Sequence, residues 1–313
     1  MKRIILLGAA GFLGTNLVIE LAKDRENEIT VVDRDETRLK TLKDLEMHNL
    51  HLVQSELNAD TDYVKLIEGN QLVYHLVSST VPTTSNQRIA EEFKENVVLS
   101  VNLLEACVCR HAEKVIFFSS GGTVYGRESR CPHNEESPMM PISSYGVQKL
   151  TIEKLLYLYN YMYDLDYRII RLANPYGPYQ RPDGVLGAVS AFTYKALRGE
   201  EIQVYGDGSV VRDFIYVDDA IRGVQKIVNG ESPHRIFNLG CGYGTSIRQL
   251  LETIEKVLNS HLNVQYMEAR TVDVPVSFLD ISRYEAAYGP LDPLSLEKGI
   301  RKTVDFMKSY YSI

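Results

Sequence analysis

The sequence predicts an α/β protein: a doubly wound parallel sheet followed by a smaller, mixed C-terminal lobe. The first reason is that short apolar runs alternate with helix-like patterns over the first half of the chain, as in sheets built from strand–helix–strand units. The second is a glycine-rich turn at residues 8–14, between the first apolar run and the first helical pattern. The third is a change beyond residue 174, where prolines and glycines crowd a loop-rich stretch and later elements are shorter.

Apolar runs mark the strands of the predicted sheet, and helical spacing marks two long helices. The runs are residues 4–7, 29–32, 50–53, 72–77 and 115–120, and residues 167–172 are predicted to form the next strand. Because continuous apolar runs are typical of strands covered on both faces, we expect the strands at 50–53, 72–77 and 115–120 to be buried. Apolar residues at helical spacing predict helices over residues 91–107 and 145–164.

Composition narrows the class of protein. The chain has 313 residues, 44% of them hydrophobic, which is enough for one large domain or two modest ones. A formal charge of −7 and the lack of a dense basic block argue against nucleic-acid binding. The four cysteines show no metal-ligand spacing, so we expect no metal site and a reducing, cytoplasmic location. No stretch approaches about eighteen uninterrupted apolar residues, so we expect no membrane span.

The glycine-rich turn, GAAGFLG at residues 8–14, has the spacing of a dinucleotide-binding turn with one extra residue between its first two glycines. Gly8 can turn sharply out of the strand, Gly11 lets a pyrophosphate approach the backbone, and Gly14 lets the helix lie close to the sheet. The helix N-terminus then offers N–H groups to the phosphates. Asp33 ends the next strand, where an acid binds the ribose and repels a 2′-phosphate, so the sequence predicts NAD. The adjacent Arg34 leaves NADP open, because an arginine can hold a 2′-phosphate.

A second motif, YGVQK at residues 145–149, places Tyr145 and Lys149 four residues apart and therefore on one face of a helix. A free tyrosine has a pKa of about 10, which is too high for a base at neutral pH. A neighbouring ammonium favours the phenolate, which makes Tyr145 a candidate general base for a sugar or alcohol hydroxyl. The same spacing also occurs on solvated helices, so the prediction depends on the glycine motif upstream and on SSGGTVYG at residues 119–126.

Together these motifs resemble the extended short-chain dehydrogenases/reductases, in particular the NAD-dependent sugar-nucleotide epimerases of the UDP-glucose 4-epimerase type. The resemblance covers nearly the whole chain. The other motifs on which it is based are RLANPYGP at 171–178, VYGDG at 204–208, VRDFIYVDD at 211–219 and ARTVDVP at 269–275. It implies a Rossmann-type, NAD-binding domain over residues 1–173, with part of 213–240 returning to it, and a mainly substrate-binding lobe over residues 174–313. That lobe would close a substrate cleft over the carboxyl ends of the strands.

The resemblance implies epimerisation of a nucleotide-diphosphate sugar at C4. The phenolate of Tyr145 would take the proton of the 4-hydroxyl, and the C4 hydride would pass to NAD, giving a 4-keto sugar. The sugar would then turn over and take the hydride back on its other face. Lys149 would hold the nicotinamide ribose and lower the pKa of Tyr145.

The resemblance also assigns the candidate site residues. The catalytic set is Tyr145, Lys149, Ser120 and Thr123. The cofactor-binding set is Gly8, Gly11, Phe12, Leu13, Gly14, Asp33, Arg34, Leu76, Val77, Ser78, Asn96, Ser119, Tyr145 and Lys149. The substrate-binding set is Thr123, Tyr145, Asn174, Val204, Tyr205, Arg212, Arg270 and Asp273, with both arginines on the phosphates. An arginine fork suits phosphate oxygens, but a salt bridge with Asp213 or Asp218 is the alternative for Arg212.

Two positions bear on how the family pattern applies. The family usually has a Ser or Thr four residues before Tyr125, to bond the 4-oxygen, and this chain has Gly121 there. Ser120 and Thr123 flank that position; either could supply the hydroxyl, and both could equally satisfy local backbone. Ser277 aligns with a position where bulk limits the sugar's 2-substituent, so a small serine suggests room for the N-acetyl group of a UDP-N-acetylhexosamine.

Other interpretations stay open at this point. One is another NAD-dependent sugar-nucleotide enzyme of the same fold: a decarboxylase, or less readily a dehydratase or reductase, since residues 121–123 lack an acid and Asp33 disfavours NADPH. Another is a catalytically impaired protein that only binds NAD or a sugar nucleotide, although the retention of Tyr145 and Lys149 argues against it. The resemblance finally implies a homodimer, paired through the helices at 91–107 and 145–164.

Overall fold

The computed structural model describes residues 1–80, 85–127, 130–183, 187–269 and 274–313. The strands are β1 (Lys2–Leu7), β2 (Asn27–Asp33), β3 (Leu50–Gln54), β4 (Leu72–His75), β5 (Lys114–Ser120), β6 (Tyr167–Leu172), β7 (Asn174–Tyr176), β8 (Ile202–Tyr205), β9 (Val211–Arg212), β10 (Phe214–Tyr216), β11 (Ile236–Leu239), β12 (Thr245–Ser246), β13 (Val264–Met267) and β14 (Val276–Ser277). The helices are α1 (Phe12–Ala22), α2 (Glu36–Lys43), α3 (Tyr63–Leu66), α4 (Ile89–Phe93), α5 (Leu99–Cys109), α6 (Ser144–Tyr163), α7 (Ala188–Leu197), α8 (Val217–Asn229), α9 (Ile247–Leu258), α10 (Ser282–Tyr288) and α11 (Leu296–Tyr311).

The main sheet has seven strands in the order β11-β6-β5-β4-β1-β2-β3, and the doubly wound α/β fold predicted from the sequence is confirmed. The pairs β1–β2, β1–β4, β2–β3 and β4–β5 are all parallel. The strand order reverses beside β1, which starts the chain and lies between β4 and β2. Ligands of such sheets bind outside the carboxyl ends of the strands at this reversal, and the glycine-rich turn follows β1 there.

Two details of the sheet differ from the sequence-based expectation. The expectation that β3 is covered on both faces is wrong, because β3 is the edge strand of the sheet and His51 and Val53 are exposed. The apolar run at 72–77 forms a strand only to His75, and Leu76 and Val77 continue beyond it as loop. Leu76 still donates its N–H to the carbonyl of Leu7 (2.9 Å), which holds this loop beside the glycine turn.

The helix predicted over residues 91–107 contains an irregularity that the sequence did not indicate. Residues Lys94–Val98 form a π-helical segment that joins α4 to α5. Such one-turn bulges in a helix are frequent at functional sites. Asn96, one of the candidate cofactor residues, lies inside this segment and is buried.

The chain divides into two compact units. Unit 1 comprises Met1–Val124, Ser143–Ile170 and Pro233–Ile236; unit 2 comprises Tyr125–Ile142, Arg171–Ser232 and Phe237–Ile313. The core of unit 1 joins the inner strands to the buried faces of α5 and α6, with Phe117, Leu103 and Leu156 each at most 1% exposed. No helix of the described residues is long and apolar enough to cross a bilayer.

Unit 2 packs α7, α9 and α11 around a separate core that contains Tyr176, Leu250 and Ile300. Its small sheets pair β10 with β7, β13 with β8, and β9 with both β12 and β14. Gly299 lets α11 lie directly against the buried ring of Tyr176, because a Cβ at Gly299 would overlap the phenol oxygen. That hydroxyl is buried and has no hydrogen-bond partner among the described residues.

Replacing Gly299 tests this contact. We expect Gly299→Ala to lower the free energy of unfolding, since overpacking costs about 1–3 kcal/mol and the gain in helix propensity offsets only about 1 kcal/mol. Urea denaturation measures the change. In a Tyr176→Phe background, which lacks the overlapping oxygen, the same substitution should cost less. A Gly299→Ala protein that is more stable than the parent would contradict the contact.

Candidate active site in unit 1

The glycine turn after β1 has the geometry of an anion-binding turn. Gly8 adopts a left-handed conformation (φ +72°), and a Cβ there would lie 2.8 Å from the Cα of Val77. A Cβ at Gly14 would overlap the backbone of Ala9, so only glycine lets α1 pack this closely. At Gly11 a Cβ would meet only the guanidinium of Arg38 at 3.8 Å, which leaves the space over the backbone open. The N-terminus of α1 has no side-chain cap, so its N–H groups and dipole are available to a phosphate.

Asp33 closes the other side of this turn. Its buried carboxylate accepts hydrogen bonds from the N–H of Ala10 (2.9 Å) and of Asp35 (3.1 Å). A carboxylate has about four lone-pair sites, so two remain for ribose hydroxyls. Arg34 points to solvent and pairs with Glu56 at 3.3 Å, with both side chains about two-thirds exposed. The residues present therefore fit the adenosine ribose and pyrophosphate of NAD.

Tyr145 lies in the first turn of α6, and side chains hold that turn in place. The N–H groups of Ser144, Tyr145 and Gly146 donate to Asn86 Oδ1 (2.8 Å), Ser85 Oγ (3.1 Å) and Ser143 Oγ (3.2 Å). The first N–H groups of a helix lack partners within it, so these three oxygens both cap the helix and fix the position of the phenol.

The Tyr145–Lys149 pair lies on one face of α6, as the spacing predicts, and burial acts on both groups. Burial raises the pKa of Tyr145 to about 12, with a hydrogen bond to Ser120 acting in the opposite direction. Burial lowers the pKa of Lys149 to about 8, and the charge of Glu153 opposes that shift. The ammonium donates to the carbonyl of Phe118 (2.9 Å) and lies 5.5 Å from the centre of the Tyr145 ring. In the protein alone the phenol is therefore neutral at pH 7, and it becomes a base only when further positive charge lies beside it.

A buried polar network supports this helix, and of its members only Asn96 was predicted from the sequence to belong to the site. The amide of Asn96 donates to Gln148 Oε1 (2.8 Å) and to Ser79 Oγ (3.0 Å), and its oxygen accepts the N–H of Ser79 (2.9 Å). Glu92, 6% exposed, accepts from Ser144 Oγ (2.8 Å) and Gln148 Nε2 (3.0 Å). The π-helical segment, the loop after β4 and the first turns of α6 are thereby tied together.

Two further buried groups lie under the pair. Glu153 is 2% exposed and accepts a short hydrogen bond from Ser119 Oγ (2.5 Å). Its position four residues after Lys149 is visible in the sequence and places it on the same helix face. His75 is also buried; its Nε2 bonds Ser100 Oγ at 2.7 Å, and burial, with the charge of Lys149, lowers its pKa to about 3. His75 is therefore neutral at physiological pH.

A small cavity brings several candidate residues of unit 1 together. It is lined by Val77, Ser78, Asn96, Tyr145, Gln148, Lys149 and Ile152. Residues proposed for the cofactor thus share one cavity with the Tyr145–Lys149 pair, at the carboxyl end of β4. Among the described residues, no group of His, Cys, Asp and Glu side chains is arranged to hold a metal ion.

The hydroxyls that flank Gly121 have different environments. Ser120 lies close enough to the phenol of Tyr145 for its hydroxyl to lower the pKa of that group. The hydroxyl of Thr123 is buried and has no hydrogen-bond partner in the part of the chain that the structure describes. Its N–H donates to the carbonyl of Ser120 at 3.2 Å, so the backbone turns tightly after β5. Such a hydroxyl costs free energy unless something bonds it, and a ligand oxygen is one candidate.

The candidate substrate residues of unit 2 lie on its small sheets. Arg212 lies on β9, directly beside Ser277 on β14, and donates to the carbonyl of Val274 (2.6 Å). Asp213 is buried and accepts N–H bonds from Cys241 (2.8 Å) and Leu279 (3.3 Å); burial raises its pKa to about 6. Asp218 pairs with Lys302 at 3.7 Å. Both acids named as alternative partners of Arg212 thus have other partners.

The remaining candidates of unit 2 differ in exposure. The side-chain amide of Asn174 donates to the carbonyl of Asp213 (3.0 Å), which ties β7 to the segment before β10. Val204 is 2% exposed and packs in a core, so only its backbone could contact a ligand, whereas Tyr205 is exposed. Arg270 and Asp273 lie outside the described residues.

Comparisons with known proteins agree with the resemblance seen in the sequence. Residues 4–240 match the model of the NAD dependent epimerase/dehydratase family. The chain is 32% identical to the UDP-glucose 4-epimerase of Mycolicibacterium smegmatis over 98% of its length and 99% of that protein. Among solved structures, the UDP-glucose 4-epimerase of Thermotoga maritima with UDP-glucose is 31% identical, with a TM-score of 0.91 over 99% of this chain and 100% of that one.

A second solved structure is similar to the same extent. The UDP-N-acetylglucosamine 4-epimerase of Methanobrevibacter ruminantium in complex with UDP-N-acetylmuramic acid is 29% identical, with a TM-score of 0.90 over 99% of both chains. A family match over most of the chain and a relative above 30% identity establish membership. The chain therefore belongs to the NAD-dependent epimerase/dehydratase family.

Proposed function

We propose that this protein epimerises a nucleotide-diphosphate sugar at C4, acting on a UDP-hexose or UDP-N-acetylhexosamine through a 4-keto intermediate. The observation that supports it best is the cavity of unit 1, where Tyr145 and Lys149 adjoin Val77, Ser78 and Asn96. Bound NAD would supply the hydride acceptor and donor that such a reaction needs. Three of the relatives that the chain resembles are 4-epimerases of UDP-sugars.

In this proposal Tyr145 takes the proton of the sugar 4-hydroxyl and later returns it. Burial raises the pKa of its phenol to about 12, so the base forms only when positive charge lies next to it. The ammonium of Lys149, 5.5 Å from the ring centre, supplies part of that charge. Ser120 acts in the same direction, because its hydroxyl lowers the pKa of the phenol.

We assign the hydroxyl that bonds the sugar 4-oxygen to Thr123. Ser120 acts on the pKa of Tyr145, whereas the buried hydroxyl of Thr123 has no partner among the described residues. One preorganised donor of this kind is worth about 10²–10³-fold in kcat. The loss of a hydroxyl at Gly121 is then compensated two residues later.

Unit 1 would bind NAD and unit 2 mainly the nucleotide part of the substrate. In unit 1 we assign the pyrophosphate to the turn at residues 8–14 and the adenosine ribose to Asp33. In unit 2, Arg212 would contact the substrate phosphates together with Arg270, and Asp273 would lie near the uridine ribose. Ser277, directly beside Arg212 in the sheet, would leave room for a 2-acetamido group.

The main alternative is a protein that binds NAD or a sugar nucleotide without turning it over. The observation that favours this alternative is Gly121, because the family usually has a Ser or Thr hydroxyl at that position. A different reaction of the same family, such as decarboxylation, is the other alternative. Offering the purified protein a panel of UDP-, GDP- and dTDP-sugars and identifying the products separates the three.

Tyr145→Phe tests the assignment of the base. We expect turnover to fall by about 10²–10⁴-fold, the usual contribution of a positioned proton-transfer group, while the amount of bound NAD stays the same. Turnover is measured by product analysis and NAD by absorbance after denaturation. Tyr159→Phe, a buried tyrosine of the same helix that packs in the core, is the matched control and should retain activity. Full activity of Tyr145→Phe would refute the assignment.

The choice of sugar gives a second prediction. We expect kcat/KM for UDP-N-acetylglucosamine to equal or exceed that for UDP-glucose, because Ser277 is small. Ser277→Val should lower the ratio of the two values about tenfold, since a bulky group in a pocket costs about 1–3 kcal/mol of discrimination. A parent protein with a strong preference for the plain hexose would end the N-acetylhexosamine proposal.

We also propose that the protein is a homodimer. On α6, Val147, Leu158, Tyr161 and Met162 are exposed apolar side chains on one face, which also carries the exposed Lys154. Val98, at the end of the π-helical segment before α5, is exposed as well. A second copy of the chain would cover both helices, the pair that the resemblance implies.

Leu158→Arg tests the dimer. The side chain is 43% exposed, so the fold should tolerate the substitution, while a buried unpaired charge would disrupt a helix–helix interface. We expect the parent to have the mass of a dimer by light scattering and the variant that of a monomer. Lys154→Arg, a change of size without change of charge on the same helix, is the control. A monomeric parent would contradict the proposal.

A further inference from the structure

Glu153 is a buried carboxylate that the proposed reaction does not use. It lies on α6 one turn after Lys149, as Lys149 lies one turn after Tyr145, so that phenol, ammonium and carboxylate follow one another along one helix face. Glu153 is 2% exposed and Lys149 6%. Two charged groups this far from water need partners, since an unpaired buried charge is very costly.

The two groups are anchored at consecutive residues of β5. Lys149 Nζ donates to the carbonyl of Phe118 (2.9 Å), and Ser119 Oγ donates to Glu153 Oε1 (2.5 Å). Both side chains therefore reach the carboxyl end of the same strand. The charge of Glu153 raises the pKa of Lys149, against the larger effect of burial.

We propose that Glu153 is a positioning residue for Lys149: its carboxylate keeps the buried ammonium charged and beside Tyr145, so that the three side chains act together. The proposal rests on the proposed function for its catalytic consequence. The electrostatic part is a property of unit 1 by itself.

Two other ionisable side chains face these three residues from neighbouring strands. On β4, His75 faces Lys149, and its pKa is lowered to about 3, so it is neutral there. On β6, Tyr167 faces Glu153, and burial raises its pKa above the ordinary 10.0. The facing residues of β5, from Phe117 to Ser119, carry no ionisable group.

The electrostatic test is the pH dependence of unfolding. Lys149 has a pKa of about 8 in the folded protein against an ordinary 10.5, so between these values only the unfolded chain holds the proton. The free energy of unfolding of the parent, relative to Lys149→Met, should therefore rise with pH over that window and be flat below it. In Glu153→Gln, which keeps an oxygen for Ser119, the rise should begin about one to three pH units lower.

A matched control and a second variant make the outcome decisive. Glu92→Gln removes another buried carboxylate of unit 1, one that faces Ser144 and Gln148, and should leave the onset of the rise unchanged. Glu153→Asp keeps the carboxylate but places it farther from Lys149, because the side chain is one methylene shorter. It should therefore shift the onset of the rise in unfolding free energy by less than Glu153→Gln does. If Glu153→Gln does not fold, Glu153→Asp decides alone. An unchanged onset in the Glu153 variants, or an equal shift in Glu92→Gln, would overturn the proposal.

The catalytic consequence is tested separately, by kcat/KM as a function of pH. The alkaline limb, where Lys149 loses its proton, should move to lower pH in Glu153→Gln by the same amount as the unfolding onset. A merely structural role would lower activity without moving that limb. Because the unfolding measurement needs no substrate, a protein that turns over no sugar nucleotide would refute the proposed function and leave this inference standing.

Discussion

The candidate site depends on the burial of an ammonium group beside a phenol. Water would screen the charge of Lys149 from Tyr145, so the burial of the ammonium strengthens the attraction that a phenolate 5.5 Å away would feel. Burial also opposes the charged forms of both groups, and it moves the pKa of the phenol to about 12 and that of the ammonium to about 8. The surrounding contacts, from the carbonyl of Phe118 to the carboxylate of Glu153, all counter that cost for Lys149.

The same constraint accounts for the rigidity built around α6. A proton transfer requires the phenol to stay within hydrogen-bond distance of its partner, about 2.6–3.2 Å, yet Tyr145 lies in the first turn of a helix, where N–H groups lack partners within the helix. Ser85, Asn86 and Ser143 supply those partners. The network through Asn96 and Glu92 ties the same turn to the loop after β4. The capping oxygens thus serve stability and positioning together.

The parts of the site that the sequence could predict are those that depend on local geometry. The glycine turn and the Tyr145–Lys149 pair follow from backbone freedom and helical spacing, and both hold in the structure. Glu92 and Ser85 could not be found this way, because they reach α6 across 52 and 60 residues of sequence. The exposure of β3 was mispredicted for a related reason: its run is as apolar as the others, and only the strand order places it at the edge.

The proposed role of Thr123 would account both for the hydroxyl that is missing at Gly121 and for a buried hydroxyl without a partner among the described residues. A buried hydroxyl without a partner costs about 1–3 kcal/mol, which a valine of the same shape would avoid. Stability alone therefore gives no reason for a threonine at position 123, where the hydroxyl has no partner among the described residues. A ligand oxygen that bonds it would give that reason, and it would also replace the donor that Gly121 lacks. In that proposal the hydroxyl missing at Gly121 is replaced by that of Thr123. The hydroxyl of Thr123 would then gain a hydrogen-bond partner only when substrate is bound.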